Sequence, residues 1–143
     1  MQLTEDRRRI IDEARSWIGT PFHHQGRLKG VGGDCVGLII AVGNALGLLP
    51  PGYNHTHYSR SPNGFRMRNV CDEQLDRVAE YIPGDILLMR FRKYPQHMGI
   101  VVDLPKSLGL VHNYAEVGRC VEHTLDDEWD DMVLQAYRYR GIL

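Results

Sequence analysis

The stretch Gly32-Gly33-Asp34-Cys35-Val36-Gly37-Leu38-Ile39-Ile40 decides how this chain is read. Two glycines lead to an aspartate, a cysteine follows, and an apolar run begins. Aspartate is a favoured helix N-cap, so a helix is expected to open at Cys35. The run Val36, Leu38, Ile39, Ile40, Val42, Ala45 and Leu46 carries it on as a buried helix to Leu49. The first N–H groups of a helix are unpaired and its dipole is positive there. Both effects favour thiolate over thiol, and thiolate is the nucleophilic form. The glycines let backbone approach a substrate closely, and the free N–H groups suit a developing oxyanion. The competing reading is an inert core cysteine.

Upstream, Ile10, Ile11, Ala14, Trp17 and Ile18 recur at helical spacing, which predicts a helix over Thr4–Ile18 with Thr4 as N-cap and Gly19 as its end. A glycine-rich loop, Gly26–Gly33, joins the two helices. Downstream, Pro50–Arg68 reads as a long ordered loop and Val70–Ile82 as a third helix. Pro83-Gly84 is a turn signal. Strands are expected at Asp85–Arg90, Met98–Asp103, Leu110–Tyr114 and Arg119–His123. Thr124–Asp131 reads as a short acidic helix with Thr124 and Asp127 as a capping box, and Val133–Arg140 as a closing strand. Helices first and strands afterwards predict one α+β domain over 1–143 with an antiparallel sheet.

A thiol nucleophile needs a base. Of the seven histidines, His97 opens a strand and His112 lies in the next one. Neighbouring strands of a hairpin put such rings side by side, and a base held by a third polar group is the logic of a nucleophile triad. Cys35, His97 and His112 are therefore the candidate catalytic set, with a satisfied, half-buried histidine as the plain alternative for His112.

Composition narrows the function. Lys plus Arg is 17 and Asp plus Glu is 18, a net charge of −1, which gives no electrostatic reason to expect nucleic acid. The basic run Arg7-Arg8-Arg9 reads as a solvated helix face. Three cysteines cannot complete a disulfide framework, although Cys71 and Cys120 leave room for one bridge; as packing residues they need none. No apolar run is long enough to span a membrane. Met1–Ile10 is charged and lacks an apolar signal core, so synthesis in the cytoplasm without a signal peptide is expected. His55-Thr56-His57 offers two ligands, which make no metal site, and the acidic cluster from Asp126 to Asp131 lacks the order of a calcium loop. Tyr53 and Tyr58 line a substrate groove or simply pack the loop. Trp17 and Trp129 are expected in or at the edge of the core. No metal or cofactor is expected.

The ordered set Gly19-Thr20-Pro21-Phe22, Gly32-Gly33-Asp34-Cys35-Val36-Gly37-Leu38, Pro83-Gly84-Asp85-Ile86-Leu87-Leu88, His97-Met98-Gly99-Ile100-Val101 and Val111-His112 resembles the NlpC-type cell-wall cysteine peptidases. Thr20-Pro21-Phe22-His23-His24-Gln25-Gly26-Arg27 resembles more narrowly their phage and prophage tail-associated branch. The likeness extends from Ile10 to Tyr139.

The resemblance implies a papain-like α+β fold and hydrolysis of peptidoglycan stem peptides, typically between D-glutamate and the diamino acid. It makes Cys35 the nucleophile, His97 the base and His112 the orienting member, with Asp34, Val36, His24 and Phe22 around the substrate and oxyanion. The family's usual upstream tyrosine falls in Phe22-His23-His24, where His24 is a candidate substitute. Val36 replaces the serine that in many relatives helps bind the free amine. The branch implies delivery by a virion tail tip, with other tail-tip proteins as partners. The alternatives are a structural tail-tip component with a secondary active site, and an amidase or acyltransferase on another substrate.

Overall fold

The computed structural model describes residues 2–54, 66–91 and 94–143, with the side chains of residues 66 and 94–96 outside that description. The expected loop residues His55, His57 and Tyr58 lie outside the described residues.

The first helix, α1 (Glu5–Arg15), starts where Thr4 Oγ1 accepts from the Arg7 amide at 3.3 Å. After it, the glycine-rich loop folds into a small hairpin of β1 (Arg27–Leu28) and β2 (Gly32–Gly33), and α2 (Cys35–Ala45) follows at once. Helix α3 spans Arg66–Gln74 and runs directly into β3 (Leu75–Val78). The remaining strands are β4 (Ile86–Phe91), β5 (Tyr94–Asp103), β6 (Leu108–Tyr114), β7 (Arg119–Thr124) and β8 (Val133–Tyr139), with the short helix α4 (Asp127–Asp130) before the last. Six strands form one antiparallel sheet in the order β3-β8-β4-β5-β6-β7. The expected papain-like α+β fold is the one observed.

The pleat divides the core in two. Ile86, Leu88, Met98, Ile100, Val102 and Val111 point to one face and pack with Ile10, Ile11 and Ala14 of α1 and Leu38, Ile39 and Val42 of α2. Their neighbours Leu87, Met89, Val101 and Leu110 point to the other face, with Ala136 and, more loosely, Trp129. A fully buried side chain of this kind contributes about 1.5–3 kcal/mol.

Three local expectations are corrected. The third helix does not reach Ile82: it ends at Gln74, because Leu75 and Val78 pair with Tyr139 and Ala136 of β8, and that pairing overrides helical period. The cap of α4 is Asp126, which accepts from the Trp129 amide at 3.1 Å, while Thr124 belongs to β7. Arg7 is not solvated: only 1% of it is exposed. Its guanidinium donates to Asp85 at 3.1 Å, to the Pro83 carbonyl at 2.9 Å and to the Leu143 carbonyl at 2.7 Å. Asp85 is also held by Arg138 at 2.8 and 2.9 Å, so the buried charge is matched. This network ties α1 to the Pro83-Gly84 turn, where Gly84 has φ +97. Arg8 keeps the expected surface role, bonded to Asp103.

Candidate active site

Cys35 is the first residue of α2, and Asp34 is its cap. One Asp34 oxygen accepts from the Gly37 amide at 2.8 Å and from Arg27 Nη1 at 3.0 Å; the other accepts from the Gln25 amide at 2.7 Å. Asp34 is buried, and its carboxylate clamps the loop to the helix start. Gly37 is required there, since a Cβ on it would overlap the Gly26 carbonyl oxygen. Val36 is buried and lines a small apolar cavity with Ile39, Tyr53, Met67, Cys71 and Met98. Phe22 and His24 are both half-buried. The segment carrying them is anchored beside the glycines: the Gly33 amide donates to the Pro21 carbonyl at 3.0 Å and the His23 amide to the Gly33 carbonyl at 2.9 Å.

The backbone amides of Met98, Val36 and Cys35 itself lie near the Cys35 thiol and favour its charged form. The Met98 contact has a structural cause. Strands β5 and β6 pair from Asp103↔Leu108 to Ile100↔Val111, and among the described residues their ladder goes no further. The amide of Met98 is thus left beside a gap in the sheet, and the sulfur meets it there.

His97 precedes Met98, and its side chain lies on the sheet face opposite to Met98, across from Met89. Its ring stacks on Phe91 with centroids 4.8 Å apart and is 4% exposed. His97 Nε2 lies 2.5 Å from Nδ1 of His112, which is fully buried. The structure therefore brings His97 and His112 together and leaves the thiol near the next backbone amide of β5; among the described residues no hydrogen bond joins Cys35 to His97. Among the described residues Nδ1 of His97 makes no hydrogen bond.

The electrostatics differ from what the helix start suggests. Burial, followed by the charge of Asp34, pushes the Cys35 thiol up to about 12, and the three nearby backbone amides only offset part of this. Burial also holds His97 down to about 3 and His112 to about 2, with neighbouring histidines adding to the effect. With these shifts the resting groups at neutral pH are a thiol and two neutral imidazoles.

His123 is the residue that sequence reasoning left without a role. Its Nε2 lies 2.7 Å from Nε2 of His112, and its Nδ1 lies 2.8 Å from the Thr124 carbonyl oxygen. In the β6–β7 register His112 faces Val121, so His123 is its diagonal neighbour, two residues on and on the same face. All three histidines lie on one sheet face in consecutive strands, which only the strand register reveals. Tyr114 stacks on His112 and Trp129 tilts over His123. Phe91, Tyr114 and Trp129 also floor a groove of about 510 Å³ with Glu116, Glu128 and Asp131 among its lining.

All three cysteines are free, and Cys71 and Cys120 are buried. Among the described residues no group of three or more acidic, histidine or cysteine side chains is arranged to hold a metal ion, and no helix is long and apolar enough to cross a membrane.

Comparison with solved structures gives the same fold at low identity. NlpC1 from Trichomonas vaginalis superposes with a TM-score of 0.69 at 16% identity, over 97% of this chain and 46% of that one. A Staphylococcus aureus protein described as similar to lipoprotein, NLP/P60 family, gives 0.64 at 18%, over 97% of this chain and 43% of its own length. The NlpC/p60 domain of peptidoglycan hydrolase SagA gives 0.59 at 19%, over 92% of this chain and 97% of that domain. The chain thus spans under half the length of the first two. No curated protein matches it. The model of the NlpC/P60 family matches residues 19–138, a span that contains Cys35, His97 and His112, and the chain belongs to that family.

Proposed function

We propose that this chain is a cysteine peptidase of peptidoglycan, with Cys35 as nucleophile, His97 as base and His112 as the residue that orients the base. The observation that supports this most is the His97–His112 pair at 2.5 Å, standing on the stretch of β5 whose Met98 amide reaches the Cys35 thiol.

Because the resting groups are neutral, the reaction begins with proton transfer. His97 takes the thiol proton on Nδ1 while the sulfur attacks the amide carbon. The new oxyanion is received by backbone N–H groups at the start of α2. The His97 imidazolium then protonates the leaving amine, the C–N bond breaks and a thioester remains. Water, giving its proton to His97, hydrolyses the thioester and restores the thiol. Phe22 and His24, beside Gly33, flank the substrate; His24 is the candidate for the usual tyrosine's task, and Val36 forms an apolar wall where relatives bind an amine. Asp34 acts by holding the helix start.

The substrate bond is assigned to D-glutamyl–diamino acid in the stem peptide, on family membership and motif likeness. Delivery by a phage or phage-like tail tip, alongside other tail-tip proteins, rests on the likeness of Thr20–Arg27 to that branch. The raised thiol favours one second reading, a structural tail-tip component whose active site is secondary.

Mass spectrometry of sacculi digested with the chain separates these. New free amines on the diamino acid, lost in Cys35→Ala, support the peptidase. Products of acyl transfer, or cleavage elsewhere, point to another papain-like amidase or transferase. Intact sacculi favour the structural component.

A further inference from the structure

We propose that His123 is a positioning residue whose bond to the Thr124 carbonyl fixes the tautomer of all three clustered histidines and keeps Nδ1 of His97 the unprotonated nitrogen. This rests on the peptidase reading above, which needs that nitrogen as its base.

The argument runs inward from the carbonyl. A carbonyl oxygen only accepts, so at 2.8 Å His123 Nδ1 must carry the proton. In the neutral ring, which has one N–H, His123 Nε2 is then an acceptor. At 2.7 Å it takes its hydrogen bond from His112 Nε2–H. His112 Nδ1 is then an acceptor, and at 2.5 Å it takes its hydrogen bond from His97 Nε2–H. What remains on His97 is a lone pair on Nδ1. The opposite order would set a His123 lone pair against the carbonyl oxygen, two acceptors face to face. The chain therefore has a preferred direction.

Burial supports the neutral state of the two inner rings. Tyr114 against His112 and Trp129 against His123 and His112 keep the rings in place. The direction also suits the reaction. When His97 gains a proton on Nδ1, its Nε2–H already points at an acceptor, so no ring has to turn. Dangling from a mobile side chain, the same hydrogen bonds would have no fixed sense; a backbone carbonyl held by strand β7 supplies one.

Long-range proton–nitrogen NMR on the full chain with labelled histidine, near neutral pH, reads the tautomers directly. The expected result is Nδ1–H for His123 and Nε2–H for His112 and His97; Nδ1–H on His97 overturns the proposal. His123→Phe keeps a ring but removes the acceptor, and is expected to scramble the His112 tautomer. It should lower kcat on stem peptides by about 10- to 100-fold with KM unchanged. His123→Gln, whose carbonyl can accept from His112, should recover most of that loss, and thermal melting checks that both variants fold. Wild-type tautomers and kcat in His123→Phe overturn the proposal. Activity surviving in Cys35→Ala defeats the peptidase reading instead, and the tautomers then still decide the role of His123.

Discussion

His97 Nε2 and His112 Nδ1 stand 2.5 Å apart, with ring planes at 70°, on strands whose own pairing ends three residues earlier on β5. The bond fixes the His97 ring on β5, one residue before Met98. If His112 orients the base, its loss should act on turnover rather than on binding. His112→Ala is expected to lower kcat by about 100-fold or more with little change in KM. A variant with raised KM and normal kcat would assign His112 to substrate binding.

The raised thiol sets a pH signature. With Cys35 at about 12 and His97 at about 3, the free protein holds no thiolate–imidazolium pair near neutrality. Alkylation of Cys35 by iodoacetamide, followed by peptide mass spectrometry, should be slow at neutral pH and still rising above about pH 9. A plateau reached below neutrality would show a preformed thiolate and contradict this state.

Acid should destabilise the fold before carboxylates titrate. A histidine held below its ordinary value of 6.5 binds fewer protons folded than unfolded in the interval between the two values. Stability is therefore full above 6.5 and falls as pH drops through that interval, which extends to about 3 for His97 and about 2 for His112. Asp72, held down by Arg77 and Tyr137, contributes only below the ordinary carboxylate range. Urea unfolding between about pH 6.5 and pH 4 should show falling stability, and a shallower fall in His112→Gln. Equal slopes would mean that the buried histidines are not the cause.

Gly37 marks a contact that a methyl group would break. Gly37→Ala pushes a Cβ against the Gly26 carbonyl, whose loop also carries the Arg27–Asp34 bond. The expected cost is about 1–3 kcal/mol, read as a melting temperature lower by several degrees. An unchanged melting temperature would show that the loop yields freely.

Much of this was legible because it is local. Asp34 caps α2 and Cys35 opens it, which neighbouring residues alone dictate. The strand pattern around His97 and His112 put the two rings on neighbouring strands. What failed depends on partners distant in the chain. Arg7 looks solvated until Asp85, 78 residues away, is folded against it. Leu75–Val78 looks helical until β8 lies alongside. The helix start predicts a low thiol pKa, and burial, which no spacing reveals, reverses it. His123 has no local mark at all, because its role comes from a diagonal neighbour in another strand.

The most direct measurement is muropeptide analysis of sacculi after incubation with the chain and with Cys35→Ala. The account predicts new amino termini at the diamino acid with the wild-type chain and none with the folded variant. Equal release by Cys35→Ala would contradict it.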